Sequence, residues 1–231
     1  MSKHIETGQQ CGGSPIIFKS GEPISVICVA STFTGLSYAN NGGKVQITSA
    51  GVHGLTTSPA VGANVYVSWS GGTGTNRLYK VLSVDSTTSI TVDLLHVAGL
   101  GTPVVVKANT VFMVAALTLP PLTGTSKIRC EFNSDITGST NNKVVSFYLN
   151  SSEAISANIL TAATLQNNFR GLISNMGATN SQTCTFYGST NNIHRKLSEE
   201  TATSATLLLG VMFGAANEII TITHYLVEVF I

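Results

Sequence analysis

The chain has 231 residues, 12 of them basic and 11 acidic, for a formal charge of +1. Charged residues make up only 10% and glycine numbers 22, so the polar surface must be built from Ser, Thr and Asn, a composition that excludes a helical bundle. Near-neutrality also removes the basic footprint that a phosphate backbone requires, which excludes nucleic acid as a partner, and it leaves apolar surface that subunit contacts must cover.

Residues 1–14 are polar with a Gly-Gly pair and read as an extended arm, ordered by a neighbouring subunit or another protein of the same assembly. The opening MSKHIETGQQ lacks the apolar core of a signal peptide, and no run reaches the roughly 18 apolar residues of a membrane span. Synthesis in a cytoplasm without membrane insertion is therefore expected. Residues 16–30 carry a strand pattern around a turn at 20–23, with Val26, Cys28 and Ala30 alternating against Ser25, Ile27 and Val29. Both of its faces are apolar, as in a strand covered on two sides.

The turn formers of 34–43 (TGLSYANNGG) mark a module boundary. Beyond it, 44–95 reads as short strands at 45–48, 64–68, 77–83 and 89–94, an arrangement that suggests a small barrel. The glycines at 71–74 form a hairpin loop rather than a phosphate loop, because no Lys-Ser/Thr follows them and no helix pattern begins there. His53 has no second ligand at metal-binding spacing and reads as a polar turn residue. Tyr66 and Tyr79 sit in alternating patterns and read as core or flank residues, and Trp69, beside the glycine loop, is the aromatic expected at the surface.

After 96–103 closes this module, strand patterns resume at 104–106 and 111–119. Within 119–149, Ile128, Cys130 and Phe132 and then Val145, Phe147 and Leu149 share one apolar face on either side of the turn formers 134–142, which reads as a hairpin-like pair. Further strands are expected at 155–160, 169–174, 183–187, 206–212 and 218–231. Residues 207–209 and 211–213 are apolar on both faces, more than one sheet can bury. His194, Arg195 and Lys196, followed by Glu199 and Glu200, read as a solvated mixed-charge loop. The four cysteines, Cys11, Cys28, Cys130 and Cys184, show no C-x-x-C spacing and read as buried free thiols, with three disulfide pairings formally open.

The Pro-led strand after Pro120-Pro121, the STNNK turn at 139–143, the Asn180-Ser181-Gln182 element and the closing ITI and YLVE segments at 220–228 resemble the C-terminal domain of bacteriophage tail-fibre and head-fibre appendage proteins. That resemblance covers about half of the chain and implies a jelly roll assembling as a homotrimer. Residues Ile47, Thr48, His53, Gly54, Leu55, Gly62, Val65, Val67, Tyr79, Val81, Val84, Thr91 and Val92 resemble a small SH3-like β-barrel of phage structural proteins. The loop 56–60 is longer than that pattern, and Arg77-Leu78 stands where it has a glycine.

The expected fold is thus all-β: a C-terminal antiparallel jelly-roll sandwich with a small SH3-like β-barrel inserted near the N-terminus. Its parts are an arm at 1–14, strands packing with the jelly roll at 15–42, the barrel at 43–97 and the jelly roll at 98–231. No cofactor or metal frame and no catalytic motif occurs, and the adjacent pair Glu199-Glu200 would point to opposite sides of an extended chain, unlike the facing carboxylates of a glycosidase. The function expected is a non-enzymatic virion protein, a trimeric fibre or appendage tip for attachment to the host surface, with other virion proteins bound through the arm. Host-surface glycan binding would use Trp69, Tyr187, Asn191 and Asn192. The alternative is a head decoration or collar protein that reinforces or bridges capsid components.

Overall fold

Period-2 alternation sets one face of each strand toward an interior, and the order in which the strands pair decides which interior. The computed structural model describes residues 15–19, 21–136, 139–161, 165–187 and 192–231. Among them the regular structure is β throughout apart from one helical turn, α1 (Thr57–Ala60).

The chain enters through β1 (Ile16–Lys19) and β2 (Ile24–Ile27) and returns for the sandwich with β9 (Phe112–Leu119), β10 (Lys127–Ile136), β11 (Ser139–Leu149), β12 (Ser152–Thr161) and β13 (Leu165–Asn175). β14 (Gln182–Tyr187), β15 (Asn192–Leu197), β16 (Ala205–Met212) and β17 (Ile219–Phe230) follow. β1 and β2 lie along one edge of β17, at Leu226–Val229 and Ile219–Ile222; β10 holds the other edge, and β13 pairs with β10. The facing sheet has the order β12-β11-β16-β9. With β1 and β2 taken as one interrupted strand and β14–β15 set aside, strands alternate between the two layers except at the β11–β12 hairpin, which is the connectivity of a jelly roll. An added hairpin, β14–β15, widens the first layer beyond β13.

The runs around 134–142 are therefore not a hairpin. β10 and β11 lie in opposite sheets, and Ile128, Cys130 and Phe132 face Val145, Phe147 and Leu149 across the core, with the Phe132 and Phe147 rings 5.6 Å apart. A period-2 pattern reports which side of a strand is buried, and two inward faces can meet across a sandwich as well as side by side. Residues 194–196 are not a loop either: they belong to β15, where Arg195 pairs with the Glu153 carboxylate of β12 and so closes one side of the sandwich.

Between the first and second jelly-roll strands come β3 (Ser37–Asn41), β4 (Lys44–Thr48), β5 (Asn64–Ser70), β6 (Arg77–Val84), β7 (Ser89–Leu95) and β8 (Thr102–Val105), paired in the order β8-β5-β6-β7-β4-β3. β3 and β8 fall outside the limits 43–97 read from the sequence and pair with strands inside them. These strands enclose a second core that includes Val45, Ile47, Val65, Val67, Tyr79, Val81, Ile90 and Val92. Tyr38 of β3 stands edge-on to Trp69 at 5.5 Å, and its hydroxyl accepts the Leu100 N–H at 3.0 Å, so the sheet curls until β3 approaches β8. The arm 1–14, with Cys11, lies outside the described residues.

The two cores meet at residues 213–218. Phe213 packs in the sandwich and Ile219 in the insert. Between them Asn217, at φ 62, donates its N–H to the Cys28 carbonyl at 3.1 Å and accepts the Thr56 N–H on its side chain at 3.1 Å. Glu218 accepts the Ala215 N–H at 3.0 Å and pairs at 3.2 Å with Lys143, whose side chain is 0% exposed. A buried ion pair adds little net stability, but loss of one partner strands the other charge in a medium that solvates it poorly.

Cys28, Cys130 and Cys184 are buried free thiols. Burial pushes Cys28 up to about 12, with the Glu218 charge adding to it, and Cys184 up to about 11 against the opposing pull of Arg195. Cys130 is pushed up further by burial and by Cys184, from which it is separated by β13.

Two outcomes follow from this packing. Lys143→Met should destabilise the fold by about 3–5 kcal/mol in urea denaturation, and adding Glu218→Leu should recover most of the loss; a single variant as stable as the parent would show the pair to be dispensable. The thiols set an alkaline limit. Below the ordinary thiol value of 9.0 the native and unfolded chains hold the same thiol protons. Above it the unfolded chain releases protons that the native chain keeps, so stability falls from pH 9 upward. The urea midpoint should drop over that window, and less steeply for Cys130→Ala, whereas identical slopes would contradict the assignment.

Candidate functional site

The added hairpin turns the outer face of the first sheet into a broad, flat field. Along β14 the side chains Gln182, Cys184 and Phe186 point inward, so Thr183, Thr185 and Tyr187 point out. Their cross-strand partners in β13 are Ser174, Leu172 and Arg170, and the next partners in β10 are Lys127, Arg129 and Glu131. One row therefore reads Tyr187, Arg170, Glu131 across three strands, with neighbours about 5 Å apart.

Tyr187 is 51% exposed, which leaves much of its ring open to solvent. Beside it the Arg170 Nε donates to Glu131 at 3.3 Å, and Asn168 donates to the other oxygen of that carboxylate at 3.4 Å. On the far side, Thr185 and the His194 ring share a hydrogen bond of 3.2 Å. An aromatic ring set in planar amide, guanidinium and carboxylate groups matches the two kinds of surface a sugar ring presents, apolar C–H faces and hydroxyl edges. Each glutamate of the field is matched with an arginine, Glu131 with Arg170 and Glu228 with Arg129.

The expected site residues do not all come together. Tyr187 and Asn192 are direct cross-strand partners, the backbone of Asn192 being described but not its side chain, and Asn191 lies outside the described residues. Trp69 is elsewhere and only 8% exposed, in the core of the insert. The glycine loop that suggested exposure folds back onto it: a Cβ on Gly74 would overlap the indole ring, so only glycine lets the loop lie there. Tyr79 is buried, and Tyr66 is half-buried against Phe112 at 5.9 Å.

Arg170, Asn168 and Glu131 were missed because they come near Tyr187 only through strand register, and Thr185 and His194 because β15 reads as polar and loop-like. The signal that could have found it is the alternation of Ile193, Arg195 and Leu197, whose partners Phe186, Cys184 and Gln182 all face inward.

His53 offers no open ligand atom. Its Nδ1 accepts the Leu55 N–H at 2.9 Å, which leaves Nε2–H to donate to the Ser86 carbonyl at 2.6 Å. Among the described residues no group of three or more His, Cys, Asp or Glu side chains is placed to hold a metal ion.

No family model matches the sequence, and no curated protein matches it. Among solved structures the chain is similar to peanut lectin with a 9mer peptide, at 4% identity over 94% of this chain and 98% of that one, with a TM-score of 0.35. It is similar to the Bauhinia forficata lectin in complex with GalNAc, at 6% identity over 94% and 98%, with a TM-score of 0.34. A third is the CBM2 module of the evolved Dit of Lactobacillus casei BL23 phage J-1, at 10% identity over 91% and 99%, with a TM-score of 0.31. Superposition this loose carries no argument about function.

Proposed function

We propose that the chain is a non-enzymatic protein of a bacteriophage virion, a trimeric fibre or appendage tip that attaches to the host surface by binding glycan on the outer face of β13, β14 and β15. The observation that carries this reading is the half-exposed Tyr187 ring set in the row with Arg170 and Glu131. The matching of each glutamate there with an arginine favours binding over hydrolysis, because a glycosidase needs one carboxyl group held protonated.

Trimerisation is supported by the outer face of the other sheet. Val145, Phe147 and Leu149 of β11 and Leu207, Leu209 and Val211 of β16 point into the core, which leaves the half-buried Tyr148, Leu208 and Met212 on the outer face. The Tyr148 ring and the side chains of Met113 and Val111 converge within 3.0–3.2 Å of where a Cβ on Gly210 would lie, so this patch is continuous across three strands. A heterologous contact closing into a ring would cover it on every subunit.

Light scattering should give three times 24.1 kDa, and Leu208→Glu should yield smaller species; a parent chain that is monomeric at micromolar concentration would remove the trimer from the reading. For the glycan face, the parent chain should bind host surface polysaccharide in calorimetry, and Tyr187→Ala should weaken binding by about tenfold, since ring stacking contributes ~1 kcal/mol or more. Its melting temperature should not move, because the ring is not part of the core. Equal binding by Tyr187→Ala, or no binding by the parent, would refute the glycan face.

A further inference from the structure

A second surface lies on the insert, where the curled sheet opens between the 71–76 loop and residues 94–100. The opening is a groove of about 450 Å³ lined by Thr73, Thr75, Arg77, Tyr79, Leu95 and Val97, among others, a size within the range of small-ligand sites. Its walls are built in advance. Thr73 N–H donates to the Gly99 carbonyl and Gly74 N–H to the Leu100 carbonyl, both at 2.9 Å, and the Tyr79 hydroxyl donates to the Thr75 carbonyl at 2.6 Å. A Cβ on Gly72 would strike the backbone of Leu100, which shows how closely the loop is pressed against its neighbour.

The groove has two chemical characters. Leu95 and Val97 on its rim are 67% and 50% exposed, an aliphatic surface that water covers poorly. Arg77 begins β6 on the same side as the buried Tyr79 and Val81, and its guanidinium lies 4.7 Å from the centre of the Tyr79 ring. Among the described residues no carboxylate comes within 4.0 Å of Arg77. The nearby acid, Asp93, is already bound to Lys44 at 2.6 Å and also feels Lys80 and Arg77, so three cations share one carboxylate. A sugar would find no open ring here, since Arg77 covers Tyr79 and Trp69 is buried.

We propose that this groove binds an acidic peptide segment of a partner protein, with an aliphatic side chain seated against Leu95 and Val97 and a carboxylate paired with Arg77. The groove and the Tyr187 face stand on different strands and different cores.

The probe is an acetylated, amidated Leu-Asp-Val-Glu tetrapeptide, titrated calorimetrically into the full chain. Emission of Trp69, the single tryptophan, is read alongside because its indole presses on Gly74 in the groove wall. Saturable heat with a matching emission change is expected, weakened at least about tenfold for the neutral Leu-Asn-Val-Gln peptide and for Arg77→Gln, the loss expected of one charge-assisted pair. Leu95→Ser, at an exposed position, should weaken the same binding without lowering the melting temperature. Absence of saturable heat, equal binding of the neutral peptide, or full affinity in Arg77→Gln would overturn the proposal. Tighter binding of glucuronate than of the peptide would overturn the choice of occupant.

Discussion

Backbone pairing along both edges of β17 is the constraint on which the rest of the molecule depends. Its N–H and C=O groups are matched along most of one edge with β10, and on the other edge with β2 at Ile219–Ile222 and with β1 at Leu226–Val229, so little of it is left as an open edge. Its register is doubly determined, because a shift of one residue would turn Ile220, Ile222, Val227 and Val229 out of the sandwich core. The β-bulge at Asn133/Ser134 of the β10–β17 pair absorbs the one place where the two registers differ. With β17 fixed, the first jelly-roll strand and the middle strand of the opposite edge are fixed too.

The same strand ties the insert to the sandwich. Ile219 belongs to the second core and Ile220 to the first, so adjacent residues on opposite faces of one strand serve two interiors. Just before it, Asn217 reaches Thr56 of the insert and Glu218 reaches Lys143 of the sandwich. The pair at Lys143 is costly to desolvate, and its value is directional: an ion pair and its hydrogen bonds have one satisfying geometry, whereas apolar contacts at the same junction would tolerate sliding. Cys28 completes this corner by donating to the Ala215 carbonyl at 2.6 Å, so its burial serves the same turn.

Most strands were legible in the sequence because their alternation is strong: β4, β5, β6 and β7 in the insert, and β9, β10, β16 and β17 in the sandwich, all lie close to their apolar patterns. Two were not. β3 reads SYANN and β15 reads NIHRKL, and both are end strands of the strand order, where one edge and much of one face stay with solvent. Such strands need little apolar content, so their composition resembles a turn. Alternation also could not tell a hairpin from two strands facing across a core, which is why β10 and β11 were paired wrongly. Of the site, Tyr187 and its partner Asn192 were legible as an aromatic beside amides, but Arg170 and Glu131 were not. They reach Tyr187 only through strand register, a long-range property that no local spacing encodes.

Both candidate surfaces lie on additions to the jelly roll, one on the β14–β15 hairpin and the other at the mouth of β3–β8, and this follows from how the eight-stranded core is built. A strand with partners on both edges and a core on one face has only its outward side chains left to vary, and those of β10 and β17 are already committed to ion pairs such as Arg129–Glu228. The hairpin adds a row beside them without disturbing the β10–β13 register, since it joins the sheet at the outer edge of β13. The insert encloses its own core and touches the sandwich through β2, the 213–218 turn and Tyr66 against Phe112, so its far end can carry an arginine with no carboxylate in contact and bare aliphatic side chains at no cost to the sandwich. Separation of the structural strands from the candidate surfaces would let one chain carry the proposed assembly face and two chemically unlike proposed recognition faces at once.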